Sequence, residues 1–134
     1  GFESSLDDAQ IRLADQLRKR FADAVLDPPP LRTLAEELGE EQDLIRELGH
    51  FLERQGDLVS APDGLFFDRD SVLALIDRVL AHFETHPDLD TQTLKALIGT
   101  SRRTAVPLMA LLDDLQITRR DGSLRRLLGP TPRW

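Results

Sequence analysis

Between Leu94 and Arg126 a helical stripe breaks at a glycine, resumes, and gives way to two short runs around Asp121-Gly122. Few folds accept that succession. Ala105, Leu108, Met109, Leu112 and Leu115 recur at helical spacing and predict a buried face on a helix over 101–115. Gly99 stops the short helix before it, and Thr100 or Ser101 is placed to cap it, which leaves Arg102 and Arg103 in its first turn. An Asp-Gly pair between short runs is a strong local hairpin signal. Helix, turn, helix and hairpin in that order predict a winged helix.

The pattern is foreshadowed upstream. With an offset of 60, Leu34, Leu38, Gly39, Leu48, Phe51 and Leu52 fall on Leu94, Ile98, Gly99, Leu108, Leu111 and Leu112. With an offset of 62, Leu13, Leu17 and Phe21 fall on Leu75, Val79 and Phe83. An internal repeat of this kind predicts a mainly α fold with small β-hairpins (α+β), made of two tandem winged-helix domains over 1–67 and 68–134. In the first, helices are expected over 6–24, 31–38 and 41–55, with Asp27-Pro-Pro-Pro30 as a stiff connection and a hairpin around Pro62-Asp63-Gly64. In the second, a helix starts at Asp68 or Asp70 and runs to about His86, and Asp90 or Thr91 caps the next. No Gly, Pro or Ser run separates the two, so semi-rigid packing is expected.

Charge divides along the same line. The chain is net −7, but residues 1–67 carry 15 acidic and 7 basic side chains, residues 68–134 carry 9 and 10, and residues 95–126 carry 3 and 7. A local basic patch governs docking more than the total does. The repeat provides a control, because Thr100-Ser-Arg-Arg103 stands where the first unit has Glu40-Glu-Gln-Asp43. A phosphate backbone is attracted by one and repelled by the other. The second unit alone is therefore expected to carry affinity for nucleic acid, with the first as a spacer or protein-contact module; simple matching of acidic residues to the helix dipole accounts equally well for the acidic start.

Arg102 and Arg103 at a helix start oppose the dipole by a few tenths of a kcal/mol. An anionic ligand on that helix end gives a reason for them, and Arg119, Arg120, Arg125 and Arg126 crowd the adjoining hairpin. The competing reading is a solvated wing with scattered arginines.

Other chemistry finds little support. With no Cys, disulfides and thiolate chemistry are excluded. His82 and His86 are spaced four apart on a helix, but the zinc-protease order is absent and no third ligand is evident, so no metal and no cofactor are expected. His50 reads as a partly buried packing residue. Phosphate-loop, dinucleotide and nucleophile-elbow motifs are missing, so the chain is not read as an enzyme. No apolar run approaches the roughly 20 residues that span a bilayer. The start Gly1-Phe-Glu-Ser-Ser shows no signal pattern and no initiator Met, which suggests an excised fragment of a cytoplasmic protein. A monomer is expected. Pro107, inside the expected helix, should remove a hydrogen bond and kink or loosen its first turns. Trp134 has either the neighbouring unit or nothing to stack on.

Ile98-Gly-Thr-Ser-Arg-Arg103, Ala105-Val-Pro-Leu108, Leu112-Asp113 and Ile117-Thr-Arg-Arg120 resemble the last winged-helix domain of bacterial selenocysteine-specific elongation factors. The resemblance is dense over about 90–128 and weaker upstream, where the family has another winged helix; Pro107 is shared. It implies non-catalytic recognition of a messenger-RNA stem-loop, the selenocysteine insertion element, for recoding of UGA. The ribosome and the family's GTPase domains are then implied partners; the GTPase and tRNA-binding domains have no counterpart in these residues. Because A-form major grooves are too narrow for a helix, reading would use phosphates and splayed-out loop bases. Thr100, Ser101, Arg102 and Arg103 would hold phosphates, and Arg119, Arg120 or Arg125 would stack on or bond an unpaired base, with Arg126 beside them. The rival readings are a DNA-binding winged-helix regulator and a tandem protein-interaction module.

Overall fold

A computed structural model describes residues 6–99 and 103–134. The chain is mainly α with two small antiparallel hairpins, in a winged-helix-like α+β arrangement. Helices α1 (Asp8–Ala24), α2 (Leu31–Leu38) and α3 (Gln42–Arg54) lead into strands β1 (Leu58–Ser60) and β2 (Phe66–Asp68). Helices α4 (Arg69–Thr85), α5 (Thr91–Ile98) and α6 (Ala105–Asp114) lead into β3 (Thr118–Asp121) and β4 (Leu124–Leu127). Among the described residues no helix is long and apolar enough to cross a membrane.

Local chemistry sets most boundaries. Asp7 is the N-cap of α1, one residue inside the helix expected over 6–24, in a reciprocal capping box with Gln10. Asp68 caps α4 through the Ser71 amide, and Asp90 caps α5 through Thr93. Hydrogen bonds from Thr93, its backbone N–H foremost, hold the Asp90 carboxyl below the ordinary carboxylate range. Gly39 ends α2 in the left-handed region, at φ +66°, where a Cβ is unfavourable.

Two hydrophobic clusters fill the fold, and the β1–β2 hairpin is the wall between them. Leu58 and Phe66 join a cluster with Leu13, Leu17, Phe21, Leu34, Ile45, Leu48 and Leu52. Their sequence neighbours Val59 and Phe67, paired across the hairpin, join a cluster with Val72, Leu75, Val79, Leu94, Leu108 and Leu112. Alternation along a strand sends successive side chains to opposite faces, so one three-residue strand serves both cores. Leu26 and Ala61 also belong to the second cluster. The core around α4–α6 therefore includes side chains from the acidic half, and a fragment cut at residue 68 would lose Leu26, Val59, Ala61 and Phe67. The expectation that 68–134 suffices alone omitted this shared packing.

Gly49, in the middle of α3, shows how close the first core is. A Cβ built there would lie 2.7 Å from the Phe66 ring, whose residue is only 2% exposed. Alanine gains about 1 kcal/mol of helix propensity over glycine. Overpacking costs about 1–3 kcal/mol. Gly49→Ala is expected to lower stability by about 1 kcal/mol in urea unfolding, against the propensity trend. A raised midpoint would mean that the ring swings aside freely.

Candidate nucleic-acid interface

The second helix of the motif begins later than its stripe suggests. α6 starts at Ala105 with Thr104 as N-cap, so Arg103 precedes the helix instead of occupying its first turn. Thr100, Ser101 and Arg102 lie outside the described residues. Pro107 explains the start. Its missing N–H and bulky ring are tolerated only within the first turn, where amides have no intrahelical acceptor. Beginning at Ala105 makes Pro107 the third helical residue, and the first i to i−4 bond runs from the Leu108 amide to the Thr104 carbonyl at 2.9 Å. Pro107 thus breaks no bond and loosens nothing; it shortens the helix. The buried face is as expected: Ala105, Leu108, Met109, Leu112 and Leu115, with Leu111 added.

The chain entering α6 is tied to the first half of the protein. The Arg103 guanidinium donates to the Asp27 carboxylate at 2.8 Å and to the Pro28 carbonyl. Thr104, fully buried, does not cap α6 with its hydroxyl, which donates to the Leu26 carbonyl at 2.8 Å. A folding reason for Arg103 therefore exists, one that sequence reasoning missed. No local signal links residues 76 apart.

The wing is a four-by-four-residue hairpin turning on Gly122 and Ser123, one residue later than the Asp121-Gly122 reading; Asp121 is the last residue of β3 and pairs with Leu124. Gly122 has φ +65°, the requirement for the first central position of such a two-residue loop. The register places Arg119 opposite Arg126 and Arg120 opposite Arg125. Directly opposed like charges destabilise a hairpin, and three of the four find relief nearby. Arg125, with a 16% exposed side chain, donates from Nε to both oxygens of Asp113 on α6 at 3.0 Å. Asp113 also accepts from the Thr118 hydroxyl at 2.6 Å, locking the wing to the helix. Arg126 pairs with Asp121 at 3.0 Å, and Arg120 bonds the Gly122 carbonyl at 3.1 Å. The Arg119 side chain is exposed and makes no hydrogen bond or ion pair among the described residues. The wing is further held by backbone bonds exchanged between Leu89 and Arg125.

The outward face of α6 is apolar and acidic. Val106 is 73% exposed, and Asp114 lies at the far end. His82 and His86 stack with ring centres 4.4 Å apart, and His82 Nε2 lies 2.7 Å from the Asp88 carbonyl. Among the described residues no group of three potential metal ligands is gathered. His50 is exposed, not half-buried, and meets the Phe66 ring edge-on at 5.0 Å. Trp134 is covered on one side by the Arg69 guanidinium, 4.2 Å from the ring centre.

The solved structure of the mRNA-binding domain of elongation factor SelB from E. coli, in complex with SECIS RNA, superposes on 92% of this chain and all of that one, with a TM-score of 0.79 and 17% identity. The selenocysteine-specific elongation factor of Desulfomicrobium baculatum is 25% identical over 127 residues, which are 95% of this chain. The family model for the winged helix of elongation factor SelB matches residues 81–127. The chain resembles the C-terminal winged helices of SelB.

This chain spans 20% of the length of the Desulfomicrobium SelB factor. The SelB model extends from the second half of α4 through β4, and all eight residues of the expected site, Thr100 to Arg103 and Arg119, Arg120, Arg125 and Arg126, fall inside it. Leu26, Asp27 and Pro28, which hold Arg103 and Thr104, fall outside it.

Proposed function

We propose that this chain is the messenger-RNA-gripping part of a SelB-type factor: two tandem winged helices, over 1–67 and 68–134, that hold a stem-loop so that a GTPase portion delivers its tRNA at a recoded UGA on the ribosome. The role is non-catalytic and cytoplasmic. The observation that carries it is the basic wing, four arginines in two opposed pairs, of which Arg125 alone is committed to holding the wing on α6. Likeness over nearly the whole chain to a SelB domain bound to SECIS RNA supports the same reading.

The site divides by availability. Arg119 is free to reach a base or a phosphate. Arg120 and Arg126 are exposed or half-exposed and weakly paired, so RNA can recruit them. Arg125 is committed to Asp113 and shapes the wing. Thr100, Ser101 and Arg102 are retained as proposed phosphate contacts, while Arg103 is held at two points, by the Asp27 carboxylate and the part-buried Pro28 carbonyl.

A DNA regulator is disfavoured by the α6 surface, since exposed Val106 and Asp114 offer no reach toward base edges in a major groove. The test is a titration of the chain with an RNA stem-loop, the same stem with its loop replaced, and duplex DNA. The first is expected to bind at least about tenfold more tightly than the others, as loop bases read by stacking and hydrogen bonds require. Equal affinity for all three would reduce the site to a nonspecific cation patch. No binding at all would favour a protein-interaction module.

A further inference from the structure

We infer that the turn Val25–Pro28, on the acidic unit, is a positioning element of the RNA site on the basic one; this rests on the RNA-binding reading above. The turn grips the chain immediately before α6 at several points. The Leu26 side chain, 3% exposed, is buried in the second core. Its carbonyl accepts the buried Thr104 hydroxyl, and Asp27 and the Pro28 carbonyl share the Arg103 guanidinium.

The turn is built to hold its shape. Val25 has φ 58° and ψ −106°, a conformation that β-branched residues adopt only when their surroundings enforce it. On the other side Pro28-Pro29-Pro30 fixes three φ angles and keeps Asp27 out of helical geometry. A sharp bend at Val25 and a stiff run from Pro28 leave Leu26 and Asp27 little freedom between them. Their partners inherit that placement.

Thr100, Ser101 and Arg102 join Gly99, at the end of α5, to Arg103, so one end of the proposed phosphate-holding segment is set by the first unit. Arg103 is then a positioning residue, and Asp27 orients it instead of competing with RNA for it. This gives the acidic unit a task that neither its charge nor the repeat reveals.

The test uses the full chain and the stem-loop RNA, with affinity and salt dependence read together. Thr104→Val keeps the shape and removes the hydroxyl, leaving the Leu26 carbonyl without that donor. Affinity is expected to fall about tenfold, the scale of one buried hydrogen bond, with the salt slope unchanged because no phosphate contact is lost. Thr104→Ser should bind within about threefold of the original chain, since the hydroxyl remains. Should Thr104→Val melt before it can be assayed, the exposed Asp27 decides. Asp27→Ala is expected to weaken binding without steepening the slope, and Asp27→Asn, which keeps an oxygen for the guanidinium, to recover most of the loss.

Tighter binding by Asp27→Ala with a slope steeper by about 0.9 would make Arg103 a phosphate contact held in check, and would overturn the inference. So would unaltered affinity in Thr104→Val, or an equal loss in Thr104→Ser. Failure of the unaltered chain to bind the stem-loop would instead overturn the RNA reading itself.

Discussion

Phe67→Ala is expected to destabilise the whole chain by about 3–5 kcal/mol, the range for emptying a buried aromatic site. Phe67 is fully buried, lies on the hairpin of the acidic half, and packs among Val72, Leu75, Leu94 and Leu108. The consequence should appear far along the sequence. Amides of α4–α6 are expected to lose hydrogen-exchange protection, and stem-loop affinity is expected to fall with them. Phe66→Ala, one residue away, opens the other core, where Phe66 meets Phe21 edge-on at 6.3 Å. Its loss of protection should centre on α1–α3. Urea unfolding gives the magnitudes and exchange gives the location. If Phe67→Ala spared α4–α6, the shared core would be wrong, and the two halves would be separable as charge alone suggests.

Stem-loop affinity is expected to fall with salt at a log–log slope of roughly −2 to −3.5, which corresponds to three or four neutralised phosphates. Raising salt from about 50 to about 200 mM would then cost roughly 15- to 130-fold in affinity. The structure apportions that slope. Arg119→Ala should shallow it by about 0.7–0.9, because the side chain makes no ion pair among the described residues and is available to a phosphate. Arg125→Ala should leave the slope nearly unaltered and lower stability instead, because its guanidinium is spent on Asp113 in a setting only 16% exposed. The acidic first half should add little, being screened beyond about 10 Å at 0.1 M salt. A slope near zero for the unaltered chain would mean that the wing arginines are merely solvated. Equal changes from Arg119→Ala and Arg125→Ala would mean that the Asp113 pair opens on binding.

Much of this was legible in the residues. Helical stripes announced six helices because burial of one face at 3.6-residue spacing depends on little beyond the local sequence. Asp68 and Asp90 marked helix starts because a carboxylate beside free amides is stabilised wherever the chain lies. The wing hairpin followed from the same kind of local rule, although its turn falls on Gly122-Ser123, one residue later than the Asp121-Gly122 reading. Pro107 was misread as a kink inside a longer helix. Its steric rule sets the start of α6 at Ala105, although the apolar stripe alone suggested an earlier one.

The tertiary structure decided which face of a short strand belonged to which core, and which arginines are paired within the fold. Val59 and Phe67 carry no mark separating them from Leu58 and Phe66; only the packing of α4–α6 against the hairpin assigns them. Arg103 and Asp27 look alike in sequence to any exposed pair, and Arg125 looks like Arg119. Hydrogen bonds and ion pairs act over about 3 Å between groups that chain folding alone brings together, so their pairings are invisible to periodicity and composition. Those pairings distinguish an arginine that holds the fold from one that is free to hold a ligand.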